Sequence, residues 1–410
     1  MLSILGPLPP ASPAHSAAAA DIRAAETHSP QHVSPAVLPG IDVWRQRHFE
    51  PLTGRRIGLI TNPTGRDAAA RLTVEVLRST DALTLAALFS PEHGFTGVEE
   101  GSVASGTDAA TGLPVFSLYG DRRRPTDEML EGLEGLVFDI QDIGTRFYTY
   151  ATTMAFAMEA AAARGLPFVV LDRPNPITGT HVEGPILDDR LLSFVGYAPL
   201  PLRHGMTIGE LARYFNQERG IGADLTVVPV KGWRREQWYD DTGLLWINPS
   251  PNMRNLTEAI LYPAVAPLES TNVSVGRGTD EPFEWLGAPW IDAFALAGRL
   301  NDAGLPGIRF LPRRRTPESN IYAGQVCNGV DLMITDREAF RAATTAITLA
   351  SSLYSLAGEK WQAERFARLW GRPEVVEQLR AGMSPAAIAA SWKEQLATFR
   401  SIRQRYLLYD

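Results

Sequence analysis

The sequence predicts an α/β fold: a mostly parallel sheet covered by helices on both faces, followed by a smaller α+β second domain. Three observations carry that expectation. Short, wholly apolar runs such as RIGLIT (56–61), LVFDI (136–140) and PFVVL (167–171) alternate with segments of helical spacing, as in parallel strands buried on both sides. At 410 residues the chain is longer than one ordinary core serves. Near residue 290 the alternation gives way to two strand-like runs and then long helical stretches.

In order, Arg56–Thr61 is the first strand, and Arg71–Ser79 (RLTVEVLRS) has helical spacing. Leu83–Phe89 is a second strand and Leu136–Ile140 a third, with a helix across Thr152–Arg164. Pro167–Leu171 and Leu225–Val230 are the fourth and fifth strands, separated by a helix at Thr207–Arg219. Beyond Gly304, strands are expected at Gly307–Pro312 and Gly324–Thr335, then helices over Asp336–Leu356 and Ser384–Leu407. Asp336 and Ser384 serve as N-caps, and Pro385 takes the first helical position. The expected division is 1–39 as a disordered tether or degenerate export signal, 40–289 as the larger domain and 290–410 as the smaller. The opening MLSILGPLPP lacks a basic residue and breaks at Pro7, although alanine-rich, cleavage-like sites follow.

A net charge of −7 argues against a nucleic-acid or anionic-membrane partner, either of which needs a basic face. The clusters Arg122–Arg124 and Arg313–Arg315 are expected on solvated loops. A single cysteine, Cys327, excludes an intrachain disulfide and any multi-cysteine zinc site. No run of 18 apolar residues occurs, so no transmembrane helix is expected.

The chemistry-bearing residues gather at strand ends, where an open α/β sheet places its ligands. The segments read TNPTG (61–65), SPEHG (90–94), FDIQDIGTRFYTY (138–150), LDRPNP (171–176) and INPSPNM (247–253), followed by ESTNVSVGRGTDEPFEWLGAPW (269–290). There is no GxGxxG after the first strand, no GxxxxGK[ST] and no GxSxG, so the dinucleotide, P-loop and serine-hydrolase readings lose their main support. Carboxylates, amides and aromatics remain, which suit carbohydrate chemistry: a proton donor for the glycosidic oxygen, with rings to stack on sugar faces.

Each candidate also has a structural reading. Glu92 could cap its turn, and His93 orients a neighbour more readily than it acts as the acid. Asp139 and Asp142 could hold loop amides, and Asp172 could brace Arg173. Asn62 and Asn252 flank prolines and could stabilise turns. Tyr148 and Trp285 could be packing. Glu269, Asn272 and Glu281 are candidate hydroxyl ligands in the last segment. Arg146 and Arg277 stand out, because a guanidinium in a cleft matches a carboxylate.

Taken together, GIDVW (40–44), GRRIGLITNPTG (54–65), FSPEHGFTG (89–97), FDIQDIGTRFYTY, LDRPNPI (171–177), NPSPNM (248–253) and the 269–290 segment resemble one family. It is the exo-β-N-acetylmuramidases of the NamZ type, glycoside hydrolase family 171. The resemblance runs from about residue 40 to the C-terminus. It implies a Rossmann-like, doubly wound larger domain, a smaller C-terminal domain and a cleft between them. It also implies release of N-acetylmuramic acid from the non-reducing ends of peptidoglycan-derived glycans, without a metal or organic cofactor. The glutamate of PEHG, here Glu92, becomes the leading catalytic residue; the N-terminal segment points to an exported location, periplasmic or extracellular, with a cytoplasmic one as the alternative. The second catalytic group stays open between Asp139, Asp142 and the substrate's own acetamide. So does the contribution of Arg146, Arg277 or Arg173 to reading the lactyl carboxylate. Two other readings compete: a metal-dependent hydrolase built on Glu92, His93, Asp139 and Asp142, and a two-lobed, non-catalytic amino-sugar-binding protein.

Overall fold

Two-sided burial governs the main sheet. The computed structural model describes residues 37–97 and 104–410, all within one compact unit, Pro35–Asp410. The tether or export signal expected at 1–39 lies, through residue 36, outside the described residues. The strands are β1 (Arg56–Thr61), β2 (Thr84–Ser90), β3 (Gly106–Thr107), β4 (Pro114–Ser117), β5 (Gly135–Asp139), β6 (Phe168–Leu171), β7 (Glu183–Ile186), β8 (Pro201–Arg203) and β9 (Leu225–Val228). All but β7 and β8, which pair with each other, form one sheet in the order β3-β4-β2-β1-β5-β6-β9. Only the short β3 runs antiparallel to its neighbour. Numbered among themselves, the parallel strands stand 3-2-1-4-5-6, a doubly wound order whose switch point lies between β1 and β5.

Alternate residues of each strand serve opposite cores. On β5, Leu136 and Phe138 join the core that includes helix α3 (Tyr150–Ala163) and α4 (Ile208–Glu218). Val137 points into the other core, with Ile57, Leu59, Val169 and the residues of α1 (Gly40–Gln46) and α2 (Thr73–Arg78). Such strands read as continuous apolar runs because neither face meets water. Thr207 and Glu210 close a capping box at the start of α4, each side chain accepting from the other's amide, at 3.2 and 3.0 Å.

After α5 (Leu256–Val265), a smaller antiparallel sheet forms from β10 (Trp285–Ala288), β11 (Ile308–Arg315) and β12 (Cys327–Ile334), in the order β10-β12-β11. Helix α6 (Ala293–Asp302) packs on it. Because β10 belongs to this sheet, the boundary expected at 289/290 passes just after the first strand of the C-terminal domain. Arg313–Arg315 lie on β11 and not on a loop, with Arg313 and Arg315 paired to Asp331.

The helices beyond differ from expectation at their ends. Helix α7 covers Ala342–Ala357. Asp336 instead caps a turn, accepting from the amides of Glu338 and Ala339. The α8 (Ala367–Trp370), α9 (Val375–Arg380), α10 (Pro385–Ala390) and α11 (Lys393–Arg403) helices follow. Ser384 caps α10 as expected. The single helix anticipated to Leu407 is broken at Ser391–Trp392, where Trp392 turns inward against Trp370, ring centres 5.4 Å apart. The chain end returns to the main sheet: the Tyr409 hydroxyl donates to Asp172 at 2.5 Å and accepts from the Val230 amide at 2.8 Å. Among the described residues, no helix is long and apolar enough to cross a membrane.

Candidate active site

The turn leaving β2 presents Glu92. His93 (φ 70°), Gly94 (75°) and Gly97 (74°) adopt left-handed backbone, so the chain doubles back at once and leaves Glu92 half-buried. For a histidine that conformation costs about 1–3 kcal/mol and persists only where the surroundings hold it. Thr149 Oγ1 donates to Glu92 Oε2 at 2.5 Å. Burial, and after it the neighbouring Glu92 carboxylate, pushes the Tyr119 hydroxyl up to about 12. The Thr149 hydroxyl thus fixes the orientation of the carboxylate.

A cavity of about 400 Å³ opens beside Glu92 and His93. Phe147, Tyr148, Thr149 and Tyr150 line it from the segment entering α3, Tyr262 from α5, and Ser250, Glu269, Arg277 and Phe283 from the connections to the C-terminal sheet. The rings meet edge to face: Tyr148 with Tyr150 at 5.0 Å, Tyr148 with Tyr262 at 5.9 Å, and Tyr262 with Phe283 at 4.7 Å. Burial pushes the hydroxyls of Tyr148, Tyr150 and Tyr262 up, so they remain neutral. That of Tyr150 donates to the Pro249 carbonyl. Arg277 Nε lies 2.6 Å from Glu269 Oε1, and its guanidinium carbon 5.2 Å from the centre of the Phe283 ring. The cavity therefore joins an oriented carboxylate, an aromatic wall and a braced guanidinium.

Asp142 sits next to this wall but does not line the cavity. Its Oδ2 accepts from the Gly144 amide at 2.7 Å, and among the described residues Oδ1 has no partner within hydrogen-bond geometry. His204 Nε2 stands 3.7 Å from Oδ2, while Nδ1 accepts from the Met206 amide at 3.1 Å, which leaves the imidazole proton on Nε2. Burial pushes Asp142 up to about 7 against the pull of the Gly144 and Ile143 amides. It pushes His204 down to about 3, with the charges of Arg403, Arg146 and Arg203 adding to it.

These shifts make a prediction. A raised carboxyl contributes stability that is complete below its unfolded value of 3.8 and is lost as pH rises through about 7. A depressed imidazole contributes stability that is complete above its unfolded value of 6.5 and is lost as pH falls through about 3. Between the two unfolded values the folded pair holds its proton on Asp142 and the unfolded pair on His204, so the slopes cancel. Asp142→Asn removes one side. Relative to wild type, its unfolding free energy should fall by about 1.4 kcal/mol per pH unit on acidification through that window. Urea titrations at several pH values measure this, and a pH-independent difference would contradict the assigned protonation.

The N-terminal part of the exo-β-N-acetylmuramidase NamZ profile matches residues 57–257, and the C-terminal part matches 260–409. The chain belongs to the NamZ exo-β-N-acetylmuramidase family. It is 45% identical over 380 residues to the peptidoglycan β-N-acetylmuramidase NamZ of Bacillus subtilis strain 168, covering 92% of each chain. Two crystal structures of DUF1343 family proteins from Bacteroides fragilis NCTC 9343 share the fold. One has a TM-score of 0.85 at 37% identity, over 92% of this chain and 99% of the other. The second has a TM-score of 0.77 at 33% identity, over 91% and 99%.

Of the residues singled out in this NamZ-family sequence, Glu92, His93, Tyr148, Glu269 and Arg277 line the cavity. The others do not. Asp139 is fully buried in an ion pair with Arg173, Oδ1 to Nε 2.6 Å, and accepts from Thr73 Oγ1. Arg173 also donates to the Arg66 carbonyl at 2.9 Å. Asn62 accepts from the amide and hydroxyl of Thr64 and supports the Pro249 carbonyl. This network occupies the β1/β5 switch point, where a ligand would otherwise be expected, and leaves a cavity of only about 30 Å³ beside Thr64, Arg66, Gln141 and Arg173.

Asp172 accepts from Tyr409, Thr207 and the Gly209 amide, which tie the chain end to β6. Arg146 is corrected from carboxylate reader to internal brace: its guanidinium donates to the carbonyls of Pro185, Leu200, Leu369 and Trp370. Gly371 has φ +88°, and a Cβ there would lie 2.5 Å from Arg146 Nη2, so glycine is required for that brace. Asn272 is taken up by Lys360 and Gln362 backbone, Glu281 pairs with Arg315, and Trp285 is fully buried. Asn252 is buried outside the lining. Among the described residues, no group of three or more His, Cys, Asp or Glu side chains is placed to hold a metal ion. Tyr119, Thr149, Ser250 and Tyr262 are site residues that sequence reasoning did not single out.

Proposed function

We propose that this chain is an exo-acting glycoside hydrolase that releases N-acetylmuramic acid from the non-reducing ends of peptidoglycan-derived glycans, acting after export and without a cofactor. The observation that carries the reading is Glu92, held by Thr149 in an aromatic-walled cavity that also presents Arg277. Protonated Glu92 gives its proton to the glycosidic oxygen as the bond to the anomeric carbon breaks. Among the described residues the cavity's other carboxylate, Glu269, is committed to Arg277, and Asp139 and Asp142 stand outside the lining. That supports assigning the opposite face of the anomeric carbon to the substrate's 2-acetamido oxygen, which forms a cyclic oxazolinium. Water then opens this ring while Glu92 recovers its proton. Release of the product from a chromogenic β-N-acetylmuraminide tests the activity; ligand binding without turnover would favour a sugar-binding protein.

Arg277 reads the 3-O-lactyl carboxylate that N-acetylglucosamine lacks, with Glu269 fixing the fork. Arg277→Ala should lower kcat/KM on the muraminide by roughly 1.5–3 kcal/mol in transition-state terms. The loss on the matching glucosaminide should be far smaller. Equal losses on both would return Arg277 to a purely structural role.

A further inference from the structure

A second feature begins at Glu92 and leads away from the cavity. Tyr119, a neighbour of Glu92, meets Phe194 at a tilt with ring centres 6.1 Å apart, and Phe194 meets Phe156 at 6.2 Å. Val195, the neighbour of Phe194, lines the cavity itself. All three rings are half-exposed. Two arginines lie over them: the Arg123 guanidinium carbon is 4.5 Å from the Phe194 centre, and that of Arg124 is 3.9 Å from the Phe156 centre. Arg122, Arg123 and Arg124 are exposed and line an open depression with Gly120, Asp121 and Phe156.

The pairings leave capacity for a ligand. Arg124 is ion-paired with Glu159, whereas Arg122 and Arg123 have no salt bridge among the described residues. A guanidinium held over a ring face by a cation–π contact still has N–H groups free to grip a carboxylate. The protein's net charge is −7, so a solvated run of three arginines beside the active-site mouth runs against its overall balance.

We propose that this aromatic and arginine strip binds the leaving-group side of the glycan. It takes a sugar next to Tyr119 and Phe194, and a carboxylate on the unit beyond it at Arg122 and Arg123. The inference rests on the glycosidase reading above and specifies the preferred substrate: a strand longer than a disaccharide, whose next acidic sugar carries the recognised charge. That carboxylate has two sources. It is the free lactyl group of a peptide-free strand, or a carboxylate of the stem peptide where the lactyl group is amidated.

The test compares kcat/KM for the first cut of a muramyl-terminated tetrasaccharide with that for the corresponding disaccharide. It uses wild type and the double variant Arg122→Ala/Arg123→Ala, on peptide-free and stem-bearing substrates. Wild type should prefer the tetrasaccharide, and the double variant should reduce the tetrasaccharide-to-disaccharide ratio about tenfold, as expected for a partly screened charge-assisted bond. Rising salt should reduce the wild-type ratio in the same direction. A drop confined to peptide-free strands identifies the lactyl carboxylate, and one confined to stem-bearing strands identifies the peptide. A ratio unaltered by the substitutions on both substrate types, or a wild type with no preference for the tetrasaccharide, overturns the strip as a subsite. Failure of wild type to cleave even the disaccharide would instead overturn the glycosidase reading.

Discussion

Glu92→Gln is expected to lower kcat by ~10²–10⁴-fold, the usual contribution of a positioned acid–base group, with little change in melting temperature. The amide is nearly isosteric, and its oxygen can still accept from Thr149, which holds the carboxylate now. It cannot give a proton to the glycosidic oxygen. Glu92 is half-buried on a turn, and the left-handed His93 and Gly94 set the path of the backbone independently of the Glu92 side chain. The fold should therefore survive. Hydrolysis of a chromogenic muraminide gives the rate and circular dichroism the integrity; a variant keeping more than about a tenth of the wild-type kcat would remove Glu92 from the role of acid. Small effects on KM with large effects on kcat would further place its contribution in the transition state.

The strands β1, β2, β5 and β6 were legible because they are largely buried on both faces and stand out as uninterrupted apolar runs, whereas the partly buried β9 was legible through its run of β-branched residues. β4 was not: PVFS is four residues long, begins with proline and is only partly buried. Missing it also hid Tyr119, which lies just past its end, where the strand-end argument would have pointed. The same argument placed too much at the β1/β5 switch point, because residue type alone does not tell an internal network from a binding site. Asp139, Arg173 and Asn62 satisfy one another and their neighbours there. Along 269–290, Phe283 and Trp285 are both fully buried but only Phe283 lines the cavity, although residues two apart on a strand share a face. Phe283 has φ 62° and precedes β10, so the alternation does not extend to it. The pairing of Glu269 with Arg277 joins residues eight apart, a contact that a loop without regular structure does not reveal in its sequence.

Asp139→Ala is expected to destabilise the protein by roughly 3–5 kcal/mol, the usual consequence of removing one partner from a buried ion pair. Arg173 is 5% exposed at its side chain and Asp139 0%, so water cannot replace the lost carboxylate. Among the described residues the remaining acceptor for the guanidinium is the Arg66 carbonyl, and the Thr73 hydroxyl loses its acceptor as well. The nearest other carboxylate in sequence, Asp172, is held by Tyr409, Thr207 and two backbone amides, and is not free to turn. Replacing both partners with apolar groups, Asp139→Leu/Arg173→Met, should recover most of the loss, because the double change leaves no unpaired charge behind. Chemical denaturation supplies the free energies, and kcat measured well below the unfolding transition supplies the activity of the folded fraction. A structural Asp139 requires the single variant to be unstable and the folded fraction to stay active. If Asp139→Ala instead remained within about 1 kcal/mol of wild type while kcat collapsed, the carboxylate at the end of β5 would belong to the chemistry after all.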